Sequence, residues 1–324
     1  MAVQTELHRH LDVSIRPSTL LELAQERGLQ PQSTSIESFR EKLILTEPLS
    51  DLASVLSTFT ICQQVLDRPD VLARVAEEAI EDIYSEGTRK VELRFSPSFV
   101  CEFSKLAWED CLLGIEEGIA RAKAKLPEIQ TGLLCIASRD YGSQSVDQTI
   151  EFYLKNQDRM VGLDLAGNEV DFPQSLFRKS FMRAADRGAR ITIHAGEATG
   201  PETIWEAIED LGAQRIGHGI ACIQDPKLME YLAKKQICLE MCPTSNWLTG
   251  VVPSLREHPL PQVLRAGVPV CINTDDPTLF GNTLPIESKI CIEQMGMTPA
   301  EVQACHSHAD RASFIPSKDL PGAN

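Results

Sequence analysis

The stretch TELHRHLD, residues 5–12, sets His8 and His10 two positions apart in an extended run. Side chains alternate along a strand, so both imidazoles point to one face, near enough to share a ligand. The pair alone is weak evidence, because H-x-H recurs by chance and two histidines also sit solvated at strand ends. Further runs carry the same kinds of residue: RITIHAGE brings His194 and Glu197, RIGHG brings His218, and VPVCINTDD ends on Asp275 and Asp276. Three neutral imidazoles and one carboxylate, His8, His10, His194 and Asp275, suit a single Zn²⁺ with a position left for water. Such an ion lowers the pKa of bound water from about 15.7 to roughly 7. His218 then either takes a proton from that water or orients it by charge. Glu197, if held protonated, can donate to a ring nitrogen or a leaving group, an effect on the order of 10²–10⁴ in rate. Bland readings exist for each residue: a core histidine satisfied by a carbonyl, or NTDD as an Asx turn or helix cap. The agreement of separate strand ends argues against them.

These residues need a scaffold that gathers distant strand ends. Eight short β-rich runs recur: VQTELH (3–8), KVELRFS (90–96), GLLCIAS (132–138), MVGLDLAG (160–167), RITIHAGE (190–197), RIGHG (215–219), ICLEMCP (237–243) and VPVCINTDD (268–276). Between them lie segments with a 3.6-residue apolar period. In 69–86, Val71, Leu72, Val75, Ala79, Ile80 and Ile83 form one stripe, with Pro69 near the start and Gly87 past the end. Segments 105–124, 173–187 and 201–211 show the same rhythm. Strands alternating with helices imply parallel pairing through right-handed crossovers. Eight such units predict an α/β fold, a (β/α)₈ TIM barrel of the metal-dependent hydrolase type, as a single domain over residues 1–324. The runs begin apolar and turn polar at their C-terminal ends, where barrel enzymes keep their active sites. Neither a dinucleotide-binding G-x-G-x-x-G after the first strand nor a P-loop occurs. His258, His306 and His308 fall in helical or loop segments and are expected at the surface or as caps.

The chain has 324 residues, 43% hydrophobic and 24% charged, as a folded globule requires. A formal net charge of −15, with basic residues grouped only around Arg121–Lys125, disfavours nucleic acid and anionic membranes as partners. With neither a secretory leader nor an apolar stretch of 18 residues, a cytoplasmic location is expected. The ten cysteines are scattered, form no C-x-x-C, and are expected to be reduced and buried. The turn-rich tail PSKDLPGAN (316–324) is expected to fray.

Taken in order, ELHRHLD, VELRFSP, LDLAGNE, HAGE, GPETIWEAI, RIGHG, CPTSN and INTDDP resemble the adenosine deaminase family, closest to its bacterial members, over residues 5 to about 314. The resemblance implies a zinc-dependent barrel that converts adenosine and 2'-deoxyadenosine to inosine and 2'-deoxyinosine with release of ammonia, in purine salvage. It implies His8, His10, His194 and Asp275 as ligands of one Zn²⁺ per chain, with Asp275 also counted among the catalytic residues and His10 beside the substrate. Glu197 would protonate purine N1 and His218 would assist the attacking water. Asp276 would bind N7, the Gly167 backbone would face N3, and Asp12 would reach the ribose. The partner is then a small purine nucleoside, taken by a monomer or a homodimer.

LSDLASVLSTF (49–59) resembles the family's gating helix, with Leu52, Val55, Leu56 and Phe59 spaced as one apolar face. It lies in a helical insertion after the first strand, about residues 30–66, expected to act as an active-site lid. An ordinary core-facing stripe would show the same period. Two positions depart from the family pattern: Val13 stands where many members have Gly, and Asn168 where a carboxylate is commoner. Both are expected beside the sugar and purine edge. Adenine, aminodeoxyfutalosine or an N6-substituted AMP are alternative substrates, and a non-catalytic binding barrel is the alternative from another class. A phosphate-bearing substrate should want a strand-end cation, for which only Arg9, Arg94 and Arg139 are available, each expected in a structural ion pair.

Overall fold

The computed structural model describes residues 4–316, so Val3 and the tail beyond residue 316 lie outside the described residues. Every β-rich run forms a strand: β1 (Gln4–His10), β2 (Thr88–Phe95), β3 (Gln130–Ser138), β4 (Gly162–Ala166), β5 (Thr192–Ala195), β6 (Arg215–His218), β7 (Cys238–Met241) and β8 (Val270–Ile272). All pairings are parallel, β1 through β4 in one run and β5 through β8 in another. Bridges Leu163↔Ile191 and Arg9↔Asp275 join the two runs at both seams, which closes the sheet on itself as a barrel.

The predicted helices occur at Pro69–Ser85, Trp108–Lys125 and Pro201–Glu209. The expected single helix over 173–187 is instead a 3₁₀ turn, Gln174–Phe177, followed by the α-helix Arg178–Ala185. Helices at Gly142–Lys155, Pro226–Lys235, Leu260–Arg265 and Pro299–Ala312 complete the outer ring. The last carries a capping box, in which Thr298 and Glu301 satisfy each other's backbone N–H groups. Helices Pro69–Ser85 and Trp108–Lys125 approach so closely that a Cβ at Gly118 would overlap the carbonyl of Ala73. No helix of the described residues is long and apolar enough to cross a membrane. All ten cysteines are free and buried.

Between β1 and Pro69 the chain forms Pro17–Glu26, Ile36–Leu43, Leu52–Ser57 and Thr60–Val65. The stretch 49–59 is therefore not one continuous helix. It ends at Ser57, and Phe59 serves as N-cap to the next.

Charge fills the barrel interior. Arg94 Nη1 lies 2.8 Å from Asp164 Oδ2 and Arg94 Nη2 lies 2.7 Å from Glu240 Oε2. Arg215 Nε lies 2.6 Å from Glu240 Oε1, and its Nη2 lies 2.7 Å from Glu92 Oε2. The order Glu92, Arg215, Glu240, Arg94, Asp164 alternates in sign, and each side chain is at most 2% exposed. Removing one member of such a buried series leaves an uncompensated charge, which costs more than an empty space would. Arg94→Met is expected to destabilise the fold by about 3–5 kcal/mol, read as a shift of the urea midpoint at unchanged slope. A loss below about 1 kcal/mol would show that Asp164 and Glu240 do not depend on this arginine.

Candidate active site

The barrel closes where the candidate ligands lie. His10 N donates to Asp275 O at 2.9 Å and Asp275 N donates to His8 O at 3.1 Å, so the seam between β8 and β1 draws three of them together. Asp275 reaches that seam with φ +67° and His218 leaves β6 with φ +56°. A non-glycine residue in this left-handed region is strained, and such strain clusters at functional sites.

His8, His10, His194 and Asp275 each present one ligand atom, all within 4.8 Å of one another. His8 Nε2 and His10 Nε2 lie 3.2 and 3.3 Å from Asp275 Oδ1. Outside this ring, His8 Nδ1 lies 3.0 Å from Glu240 Oε2 and His194 Nδ1 lies 3.1 Å from Asp164 Oδ1. A carboxylate accepts, so each Nδ1 donates and each Nε2 keeps a lone pair for the site. His8 Nε2 is buried and has no hydrogen-bond partner, which is the state expected of an atom built to ligate. Burial pushes the His194 imidazole down to about 4, against the pull of Asp164, and so keeps it neutral. The donor set therefore fits a divalent metal ion.

Glu197 stands beside this group, its Oε2 3.6 Å from His218 Nε2 and its Oε1 3.5 Å from Thr249 Oγ1. Burial, reinforced by Asp275, Glu169 and Asp276, pushes its carboxyl well above the usual range. Asp276 is raised for the same reasons, burial first and then Asp275, and its Oδ1 is buried without a partner. Burial lowers the His218 imidazole well below its usual value.

Two connected lobes open above these residues. The inner lobe, about 50 Å³, is walled by His10, His194, Glu197, His218, Asp275 and Asp276 and roofed by Leu52, Val55, Leu56 and Phe59. The outer lobe, about 230 Å³, shares His10, Leu56, Phe59, Ala166 and Gly167 with it and adds Asp12, Val13, Gln63, Ser96, Asp140 and Tyr141. Asp12 Oδ2 accepts from Ser96 N at 3.1 Å, while its Oδ1 is buried with no partner. Gly167 has φ +104°, and a Cβ there would overlap the Asp140 carboxylate, so only glycine fits this shared wall.

Several expectations need correction. Asn168 does not line either lobe; its Oδ1 accepts from Val170 N at 3.0 Å and its Nδ2 donates to Asp171 Oδ2 at 2.8 Å, so it closes a turn. His258 and His306 are buried rather than on the surface. His258 does act as a cap, because its Nδ1 accepts from Leu260 N at 3.1 Å. Arg9 and Arg94 are in ion pairs, but Arg139 donates instead to the carbonyl of His194 at 2.6 Å.

Residues to which the sequence assigned no role orient the site. Glu169 accepts from Gly196 N at 3.0 Å, Ala198 N and Thr199 N at 3.1 Å, and so shapes the loop that carries Glu197. Asp164 and Glu240 had one available signal: each is a lone carboxylate inside an apolar strand, which burial forbids without a partner.

The family model described as adenosine deaminase matches residues 4–320. An adenosine deaminase of Yersinia pseudotuberculosis serotype O:1b is 40% identical over 315 residues, covering 97% of this chain and 94% of that protein. An adenine deaminase from Arthrobacter aurescens superposes with a TM-score of 0.89 at 29% identity, covering 97% of this chain and 94% of that one. The N6-methyl-AMP deaminase of Arabidopsis thaliana gives a TM-score of 0.82 at 27% identity, covering 98% and 93%. A model match across almost the whole chain, joined to relatives of near-equal length, has one consequence: the chain belongs to the adenosine deaminase family.

Proposed function

We propose that the protein deaminates adenosine and 2'-deoxyadenosine hydrolytically, yielding inosine or 2'-deoxyinosine and ammonia in purine salvage, with one Zn²⁺ per chain. The observation that carries the choice of substrate is the outer lobe. It is roomy enough for a pentose, it offers the unpartnered Asp12 Oδ1 as an acceptor for sugar hydroxyls, and no Lys or Arg lines it. With no Lys or Arg in its lining to receive a phosphate, this wall is set against an AMP derivative. Adenine alone would leave the lobe to water.

His8, His10, His194 and Asp275 would hold the zinc. When bound, the ion lowers the pKa of a coordinated water to roughly 7 and so supplies the nucleophile. Glu197, kept protonated by burial, would donate to purine N1 and make C6 electrophilic. Asp276, also kept protonated, could hydrogen-bond N7, and the Gly167 backbone would face N3. His218 would touch the attacking oxygen. We read residues 1–324 as one barrel, with the insertion at about 30–66 as a lid whose Leu52, Leu56 and Phe59 exclude water from the purine. The ten unpaired cysteines fit a reducing cytoplasm.

Purified protein should release ammonia from adenosine. Glu197→Gln should retain zinc and lose on the order of 10²–10⁴ in kcat, with metal content recorded on both samples; full activity in the variant would remove Glu197 as the proton donor. In steady state, kcat/KM for adenosine should exceed that for AMP, and the reverse order would sink the nucleoside reading. Leu56→Asp should raise KM roughly 10- to 100-fold, the equivalent of one lost apolar contact, with bound zinc unchanged; loss of zinc would refute a purely gating role.

A further inference from the structure

Behind His218 runs a line of buried hydrogen bonds that the reaction described above does not use. Leu260 N lies 3.1 Å from His258 Nδ1, His258 Nε2 lies 3.1 Å from Asn246 Oδ1, and Asn246 Nδ2 lies 3.0 Å from His218 Nδ1. His258, Asn246 and His218 are 4%, 0% and 1% exposed, so each polar atom in the line depends on its neighbour for a partner.

The line starts from a backbone N–H, which can only donate. His258 Nδ1 must therefore accept, with its lone pair. Burial pushes His258 down to about 3, so the ring is neutral and its one proton sits on Nε2. That proton needs an acceptor, which obliges Asn246 to turn its Oδ1 toward His258. The other end of the amide is then an NH₂ group, a donor facing His218 Nδ1. His218 Nδ1 has to accept in turn. The ring proton of His218 is left on Nε2, which faces Glu197 Oε2 at 3.6 Å and Asp275 Oδ2 at 3.7 Å.

We propose that His258 and Asn246 are positioning residues that hold His218 in its Nε2–H tautomer, so that His218 serves the reacting centre as a hydrogen-bond donor and not as a base. This rests on the deaminase reading for its catalytic consequence, though the tautomer itself does not. It separates the two roles open to His218 from sequence, because an Nε2 that already carries a proton can orient the attacking oxygen but cannot take a proton from it. Asn246 belongs to the CPTSN run, and His258 lies twelve positions further along the same loop region between β7 and β8.

The test is nuclear magnetic resonance of the zinc-loaded, ¹⁵N-labelled protein, with long-range proton–nitrogen correlations that distinguish protonated from unprotonated ring nitrogens. The His218 ring is assigned by its absence in His218→Gln. His218 should show an unprotonated Nδ1 and a protonated Nε2; a proton on Nδ1 would overturn the proposal whatever the substrate proves to be. In kinetics with adenosine, His258→Leu should lower kcat roughly 10- to 100-fold, the usual range for lost outer partners, with KM within about threefold and zinc retained. His258→Gln, which keeps an N–H for Asn246, should recover most of that loss. Equal losses in both variants, with the His218 tautomer unchanged in each, would make His258 merely structural. Should adenosine prove inert while the wild-type spectrum shows Nε2–H, the substrate reading falls and the tautomer assignment stands. Should His258→Leu fail to fold, the wild-type spectrum and His258→Gln still decide.

Discussion

One guanidinium organises the centre of this barrel. Arg94 holds Asp164 with one nitrogen and Glu240 with the other, and these two carboxylates each receive the Nδ1 proton of a candidate ligand, His194 and His8. A planar fork can bridge two acids at fixed separation, which an ammonium on a flexible stem cannot do. Two imidazoles from opposite sides of the barrel are thereby aimed at one point by a single side chain. The pairs are fully buried, so their desolvation has already been incurred in folding, and the interior tolerates them only because the signs alternate through Glu92 and Arg215. Packing and site geometry are thus one structural fact in this molecule.

Backbone strain is placed next to that core. The β8–β1 seam needs Asp275 in the left-handed region to return its carboxylate over the barrel, and His218 adopts the same region at the end of β6. Both residues would relax if the sheet did not hold them. Hydrogen bonds across the seam, and the amide of Asn246 behind His218, supply that hold. The carboxyls gathered around the same point act in different protonation states for physical reasons. Asp275 sits among imidazoles and stays charged, while Glu197 and Asp276 sit among other acids in a buried space and resist ionisation. A charged ligand and neutral donors can then wall the same small lobe.

Local pattern carried a great deal here. The period of two in β1, the polar endings of the strand runs and the alternation with 3.6-period segments were enough for a closed parallel barrel with its chemistry on one rim. Every β-rich run formed a strand, and the residues at the strand ends came together. Where the reading failed, the deciding partner was distant in sequence or the local signal was ambiguous. Asn168 looked like a substituted pocket residue, but a turn of three residues claims its side chain. His258 looked like a surface residue because nothing in its own segment shows that Asn246 covers it. The apolar face over 49–59 is real as a set of contacts, yet two short helices present it in place of one.

The sequence by itself determined which residue types stand at strand ends, because alternation and helical period are local consequences of backbone geometry. It thereby determined the barrel and the kind of chemistry its rim can support. Only the tertiary structure decided the rest: which ring nitrogen of each histidine faces the site, which carboxyls keep their protons, and how far the cleft extends beside Asp12. Those properties belong to pairs such as Arg94 and Glu240, 146 positions apart, whose meeting depends on the whole barrel closing. A charge or a proton is settled by its surroundings, and in a buried site the surroundings are supplied by the rest of the chain.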